Sequence, residues 1–232
     1  MPSIKKESVG NATIWTLRNN KGNELKVTDR GARIVSMRFC DKSYTNRFIV
    51  KDDAAGAVKV DGGADFAEIP WQAQQLVEGL KLSAQVGDKS VSVIYSLSND
   101  NEISIKFEST GASDISVSPI FSAEALPDVN FRACQKGAAW EKFADEKTYP
   151  VTEPAEVEME LGMFGYDLGC PIDYLDAGLK NAAVVFCEAA SIEMIVYSTQ
   201  DEVHAKAVDG GFSVGTSGNA SGQVVYMLKN RR

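Results

Sequence analysis

The segment Glu202-Val203-His204-Ala205-Lys206-Ala207 carries the only histidine of the chain. A side chain that titrates near neutral pH could take or give a proton there, or hold a ligand. Its neighbours alternate between apolar and polar as in a strand, so His204 could equally serve the surface or the core. Further on, Gly211-Phe212-Ser213-Val214-Gly215 spells the Gly-x-Ser-x-Gly of a nucleophile elbow. A hydrolase elbow needs a helix after the serine and, in its triad order, a histidine beyond it. Neither follows Ser213, and the segment reads instead as a glycine-rich β-turn. The pairs Asp52-Asp53 and Asp65 with Glu68 could seat a metal or supply an acid and a base, although charged clusters on loops are ordinarily just solvated.

Cys40, Cys134, Cys170 and Cys187 are widely spaced, without a Cys-x-x-Cys pair. With one histidine this is a poor zinc set, and no metal or other cofactor is expected. The thiols read as small, partly buried hydrophobes in a reducing cytosol. A net charge of −8 and a pI near 4.8 argue against nucleic acid and anionic membrane surfaces as partners, because both need a basic face. No stretch approaches the ~20 apolar residues of a membrane span, and the N-terminus has no apolar run behind its lysines. The expectation is a cytoplasmic protein, neither exported nor membrane-inserted.

The elements that must position these residues are strands. At 232 residues with 44% hydrophobic composition, the chain can bury a sizeable core, and an all-β sandwich of this size can form one domain over 1–232. Period-two alternation recurs at 12–17, 25–28, 34–39, 81–84, 90–97, 102–108, 115–117, 182–187, 191–198 and 223–228. Turn residues at Asn19-Asn20-Lys21-Gly22-Asn23, Gly87-Asp88 and Asn99-Asp100-Asn101 join these into hairpins and a meander. Val35, Met37 and Phe39 would share one face. About ten strands exceed what an open sheet usually carries without splitting into a packed pair. The exception is 131–149, where Ala133, Ala138, Ala139, Trp140 and Phe143 permit a short helix or an ordered loop around Gly137. The acidic run 153–160 reads as an edge strand.

Several of these segments resemble the aldose 1-epimerase (galactose mutarotase) family. Gly31-Ala32-Arg33-Ile34 is similar to its N-terminal turn, and Val93-Ile94-Tyr95-Ser96-Leu97-Ser98-Asn99-Asp100-Asn101-Glu102-Ile103 to its Tyr-x-Leu-x-x-Asp-Asn-Glu-Leu hairpin. Trp71 with Gly79-Leu80-Lys81-Leu82-Ser83, Pro171-Ile172-Asp173-Tyr174 and the 191–200 strand follow in family order. The resemblance implies an antiparallel supersandwich and a site for a sugar or sugar phosphate, where a base takes the anomeric proton and a histidine protonates the ring oxygen.

The residues that would do this chemistry are exchanged. The family's Leu-His-Gly-Gly falls on Val60-Asp61-Gly62-Gly63, placing Asp61 at one substrate-facing histidine. The stretch that holds the acid falls on 120–126 and puts Phe121 at the histidine, and the region of the family's glutamate, 211–218, has no carboxylate. The resemblance implies sugar contacts at Arg47, Asp61, Trp71, Phe121 and Asp173. Trp15 and Trp140 could also stack on a sugar, as could Trp71, though tryptophans are commonly core. Arg33 matches a family arginine that serves the fold. Three functions remain open: a sugar-binding or regulatory protein without the epimerase chemistry, an epimerase rebuilt on Asp61 or Asp173 as base with His204 as acid, and a non-enzymatic subunit whose sheet edge or face meets a protein partner.

Overall fold

A computed structural model describes residues 3–63, 65–77, 79–135, 138–151 and 178–231. The chain opens with a five-stranded antiparallel meander: β1 (Ser3–Val9), β2 (Ala12–Arg18), β3 (Glu24–Thr28), β4 (Ile34–Cys40) and β5 (Asn46–Phe48). After one 3₁₀ turn at Ala54–Gly56 come β6 (Lys59–Val60), β7 (Gln72–Gln75), β8 (Leu80–Val86), β9 (Lys89–Leu97) and β10 (Glu102–Thr110). Next follow β11 (Ile115–Ser116), β12 (Ile120–Ser122), β13 (Asn130–Ala133) and β14 (Lys147–Pro150). The last are β15 (Lys180–Cys187), β16 (Ile192–Ser198), β17 (Glu202–Val208), β18 (Gly211–Ser217) and β19 (Ser221–Asn230).

An eight-stranded sheet runs β13-β15-β16-β19-β10-β9-β8-β7, a four-stranded sheet runs β12-β18-β17-β14, and β11 pairs with β6. All strand pairs are antiparallel. The expected all-β antiparallel sandwich is the observed architecture.

Alternation decides which residues meet inside. Along β9, Val91, Val93, Tyr95 and Leu97 are buried while their neighbours are not, and Ile103, Ile105 and Phe107 of β10 answer them. Each such aliphatic or aromatic side chain contributes about 1.5–3 kcal/mol on burial. The same core takes Leu25, Met37 and Phe39 from the five-stranded sheet and Phe121, Phe212 and Val214 from the four-stranded one. Two tyrosines tie layers together: the Tyr226 hydroxyl of β19 donates to the Val214 carbonyl of β18 at 2.8 Å, and the Tyr95 hydroxyl of β9 donates to the Ala32 carbonyl beyond β3. Strands β15 and β16 are buried almost throughout, with a second apolar cluster around Val184, Ile195, Tyr197 and Val225.

Three expectations are corrected and a fourth is narrowed. The nineteen strands of the described residues exceed the ten read from periodicity, because short polar strands such as β1 and β7 carry no apolar alternation to find. The register of β4 against β3 slips between Lys26 and Val27 of β3, leaving Val35 unpaired, so Ile34 rather than Val35 joins Met37 and Phe39 in the core. In the segment 131–149 the ordered-loop alternative holds and the helix does not: its described residues run from the end of β13 through an irregular stretch into β14, tied by N–H to carbonyl bonds of 2.8 Å in both directions between Phe131 and Glu141. Finally, 211–217 is a strand, not a turn. A Cβ at Gly211 would lie 2.1 Å from the Phe121 carbonyl oxygen and one at Gly215 1.9 Å from Ser118 Oγ, so these glycines serve close approach inside a sheet. The expected strand at 153–160 lies outside the described residues. No helix of the described residues is long and apolar enough to cross a membrane.

Candidate functional site

The alternation of β17 sends Val203 and Ala205 to the core and aims Glu202, His204 and Lys206 the other way. On β18 the outward positions are Ser213, Gly215 and Ser217, standing opposite Lys206, His204 and Glu202 respectively. The residue facing His204 is Gly215, whose outer side is occupied by Ser118, and the imidazole turns to hydroxyls on either side of it. Its Nε2 comes within 2.5 Å of Ser217 Oγ, and its Nδ1 lies 2.8 Å from the hydroxyl of Thr148, the residue opposite it on β14. Glu202 Oε2 is 3.5 Å from Ser217 Oγ and 3.8 Å from His204 Nε2. The Ser217 hydroxyl can donate to Glu202 while meeting Nε2 of the ring, and the Thr148 hydroxyl meets Nδ1, so both ring nitrogens have a hydroxyl partner.

Over this sheet face lies a cleft of about 240 Å³. His204, Lys206, Ser213 and Ser217 line it on one side, and Lys59, Asp114, Ser116 and Ser118 on the other. Lys206 pairs with Glu146, beside it just ahead of the neighbouring β14, at 3.2 Å, Ser213 donates to the Pro119 carbonyl, and Asp114 accepts from the Gly218 N–H at 2.7 Å. The surface is therefore rich in hydroxyls able both to give and to accept, with charged groups of both signs at hand. That chemistry suits a small polyhydroxylated ligand. Among the described residues no group of three or more His, Cys, Asp or Glu side chains could hold a metal ion.

The residues proposed from the sequence are only partly gathered here. His204 is in the cleft. Asp61 stands at its rim, one residue from the lining Gly62, but its carboxylate is already engaged. Lys89 Nζ lies 2.7 Å from Oδ2, while Oδ1 accepts from the Ser113 hydroxyl, the Ser113 N–H and the Asp114 N–H. The Lys89 ammonium foremost, with these donors, holds Asp61 well below the usual carboxylate range. Phe121 does not enter the cleft. It is 1% exposed, stacked on Phe212 with ring centroids 5.4 Å apart and tilted against Tyr226 at 5.6 Å, on the core side of the strands that floor the cleft.

Trp71 is 3% exposed, its indole N–H spent on the Phe66 carbonyl, so it offers no face to a sugar. Arg47 lies elsewhere: its Nε donates to Asp41 and its Nη1 to the Ala125 carbonyl, a clasp between two loops. Arg33 pairs with Asp52, and Asp53 accepts from the Ala55 N–H. Asp173 lies outside the described residues. Cys40, Cys134 and Cys187 are free thiols, and burial pushes the Cys134 thiol up to about 12. Sequence reasoning missed Thr148, Glu146, Lys59 and Ser217. The first three sit on short or solvated segments without pattern, whereas the Ser213-x-Gly215-x-Ser217 spacing did place three small residues on one strand face.

No protein-family model matches the chain, and no curated protein sequence matches it. Solved structures do. A GalM/aldose epimerase homologue from C. elegans superposes with a TM-score of 0.63 at 11% identity, covering 100% of both chains. A galactose mutarotase-like protein from Clostridium acetobutylicum gives 0.66 at 7% identity over 99% of each chain. A galactose 1-epimerase from Lactobacillus acidophilus gives 0.57 at 12% identity over 100% of this chain and 99% of that one. At such identities the likeness is one of fold, and it runs from end to end.

Proposed function

We propose that this chain, which has the galactose mutarotase-like β-sandwich fold, is a carbohydrate-binding protein that holds a single sugar ring in the cleft over β17 and β18. The observation that carries the reading is the constellation at His204. One ring and three oxygen-bearing side chains, Thr148, Ser217 and Glu202, form a chain of exchangeable hydrogen bonds that sugar hydroxyls could replace one for one. A cleft of about 240 Å³ lies below the usual range for drug-sized ligands, consistent with one ring. Binding is favoured over turnover because Asp61, where the resemblance places a substrate-facing histidine, has both oxygens occupied and stays ionised, and because the phenyl ring of Phe121, where it places the acid, can give no proton. Isothermal calorimetry with galactose, glucose and their 6-phosphates tests it: saturable heat with at least one, lost in His204→Ala, is expected, and no heat with any of them overturns the reading.

A second reading, a rebuilt epimerase, is favoured by the presence of both His204 and Glu146 at the one cleft, since ring opening needs an acid and a base on the same substrate. Polarimetry on freshly dissolved α-D-glucose separates the two. A rate above the buffer blank that disappears in Glu146→Gln would establish the second reading, and a rate equal to the blank eliminates it.

A further inference from the structure

The eight-stranded sheet ends at β7, whose residues Gln72, Ala73, Gln74 and Gln75 are all exposed. The phase of its hydrogen bonds follows from the adjoining hairpin. Leu76 N–H donates to the Gly79 carbonyl at 2.8 Å, so Leu76 and Gly79 form a hydrogen-bonded pair, and in an antiparallel ladder such pairs alternate. With Gln74 opposite Lys81 and Gln72 opposite Ser83, these two residues turn their N–H and C=O groups toward β8. Ala73 and Gln75 therefore turn theirs outward. Trp71, in the same phase, does so too, and its N–H finds the Asp29 carbonyl at 2.7 Å. Beyond that bond the edge is open.

Other long or central edges of the described residues are defended. β1 carries Lys5, Lys6 and Glu7, β14 carries Lys147 and ends in Pro150, and the β13 edge is closed by the ladder to Glu141. β12 is covered on its free side by bonds from Lys51 N–H to the Ile120 carbonyl and from Ser122 N–H to the Ile49 carbonyl. β7 has no charge, no proline and no cover, which is the condition under which a strand recruits another.

We propose that β7 pairs with β7 of a second copy of this chain, antiparallel about a two-fold axis through Gln74, to make one continuous sheet. The occupant follows from the spacing of the open groups. Two outward residues separated by one inward residue are self-complementary: Ala73 exchanges both backbone hydrogen bonds with Gln75 of the second copy, and Gln75 does so with its Ala73. This leaves Gln74 facing Gln74, a pair of amides that can bond to each other. An uncharged run has no like charges to bring together at the axis. The chain's own Asp29–Gly31 segment lies along Ile69–Trp71, through the Trp71 N–H to Asp29 carbonyl and Gly31 N–H to Ile69 carbonyl bonds, and confines the shared ladder to Ala73, Gln74 and Gln75. An interface of this length belongs to the weak, reversible class.

The test uses the position on the axis. Sedimentation equilibrium of the full chain over a wide concentration range is expected to show a reversible monomer–dimer equilibrium. Gln74→Lys and Gln74→Glu each put like charges face to face and are expected to weaken the dimer by about tenfold or more. Mixing the two variants pairs opposite charges and should restore association to the wild-type level or beyond. Gln74 is exposed, so neither substitution disturbs the core. A chain that stays monomeric at the highest concentration, or a dimer indifferent to both variants, overturns the proposal. The outcome does not depend on the sugar reading, since β7 is remote in the sheet order from β17 and β18.

Discussion

The two faces of β17 and β18 are made from the same fourteen residues and have opposite characters. Inward, Val203, Ala205, Phe212 and Val214 join an apolar core in which Phe121 stacks on Phe212. Outward, His204, Lys206, Ser213 and Ser217 line a polar cleft, with Ser213 buried against the Pro119 carbonyl and Glu202 exposed beside Ser217. Period-two alternation lets one strand pair serve stability with every second residue and leaves the others for the recognition proposed above. The residue that the family resemblance ties to catalysis, Phe121, falls on the stability side of that division.

The division can be broken hardest at Phe121. Phe121→Ala should cost about 3–5 kcal/mol, read from urea unfolding midpoints, because a fully buried ring leaves a cavity among Phe212 and Tyr226. Phe121→His should also destabilise and should give no mutarotation by polarimetry; a clear rate would reveal a base that the cleft geometry does not display. Gly215→Ala is the next largest effect and the one that crosses the division. It lies on the outer face, yet its new methyl would meet Ser118 Oγ at 1.9 Å and Ser118 Cβ at 2.7 Å. A loss of about 1–3 kcal/mol, together with loss of ligand heat in calorimetry, is expected from overpacking.

Asp61 sharpens the comparison through pH. The native carboxyl is depressed below its ordinary value of 3.8, chiefly by Lys89, so the contribution is fully present above that value and is lost as pH falls through the native pKa. Asp61→Asn should therefore be less stable than wild type at neutral pH, and the difference should shrink on acidification below about pH 4, measured as thermal midpoints across the acid range. Smallest in stability is His204→Gln, expected within about 0.5–1 kcal/mol of wild type because the ring is not part of the core. Its ligand affinity should nevertheless fall by about tenfold, the worth of one hydrogen bond of ~1–1.5 kcal/mol. A His204→Gln protein that unfolds several degrees early with unchanged affinity would reverse the assignment of the two faces.

The long strands were legible in the sequence because burial on one face leaves its mark at every second residue, as in Val91, Val93, Tyr95 and Leu97. β7 was invisible: Gln-Ala-Gln-Gln buries nothing, and only its position opposite β8 makes it a strand. Gly211 and Gly215 misled toward a turn because a glycine needed for the approach of a neighbouring strand looks, in sequence, like one needed for a bend. Of the candidate site, His204 drew notice because it is unique, whereas Thr148 and Ser217 enter only through distances to it that pairing across three strands creates. Trp71 and Arg47 were misplaced by a different cause. Both are spent on partners that cannot be read from local sequence, the Phe66 carbonyl for one and Asp41 with the Ala125 carbonyl for the other.

The Tyr226 hydroxyl, bonded to the Val214 carbonyl, acts as a rivet between the eight-stranded sheet and the strand that floors the cleft. Sliding one layer past the other would strand a buried hydroxyl and a buried carbonyl at about 1–3 kcal/mol each, and Tyr95 imposes the same condition at Ala32. Shear between layers is thus blocked beneath the cleft. Adjustment falls to the outward side chains alone, and rotamer changes at exposed positions take picoseconds to nanoseconds. For the ligand proposed above, the expectation is association in a single kinetic step, its observed rate rising in proportion to ligand concentration without the plateau that a slow rearrangement of the sandwich would impose.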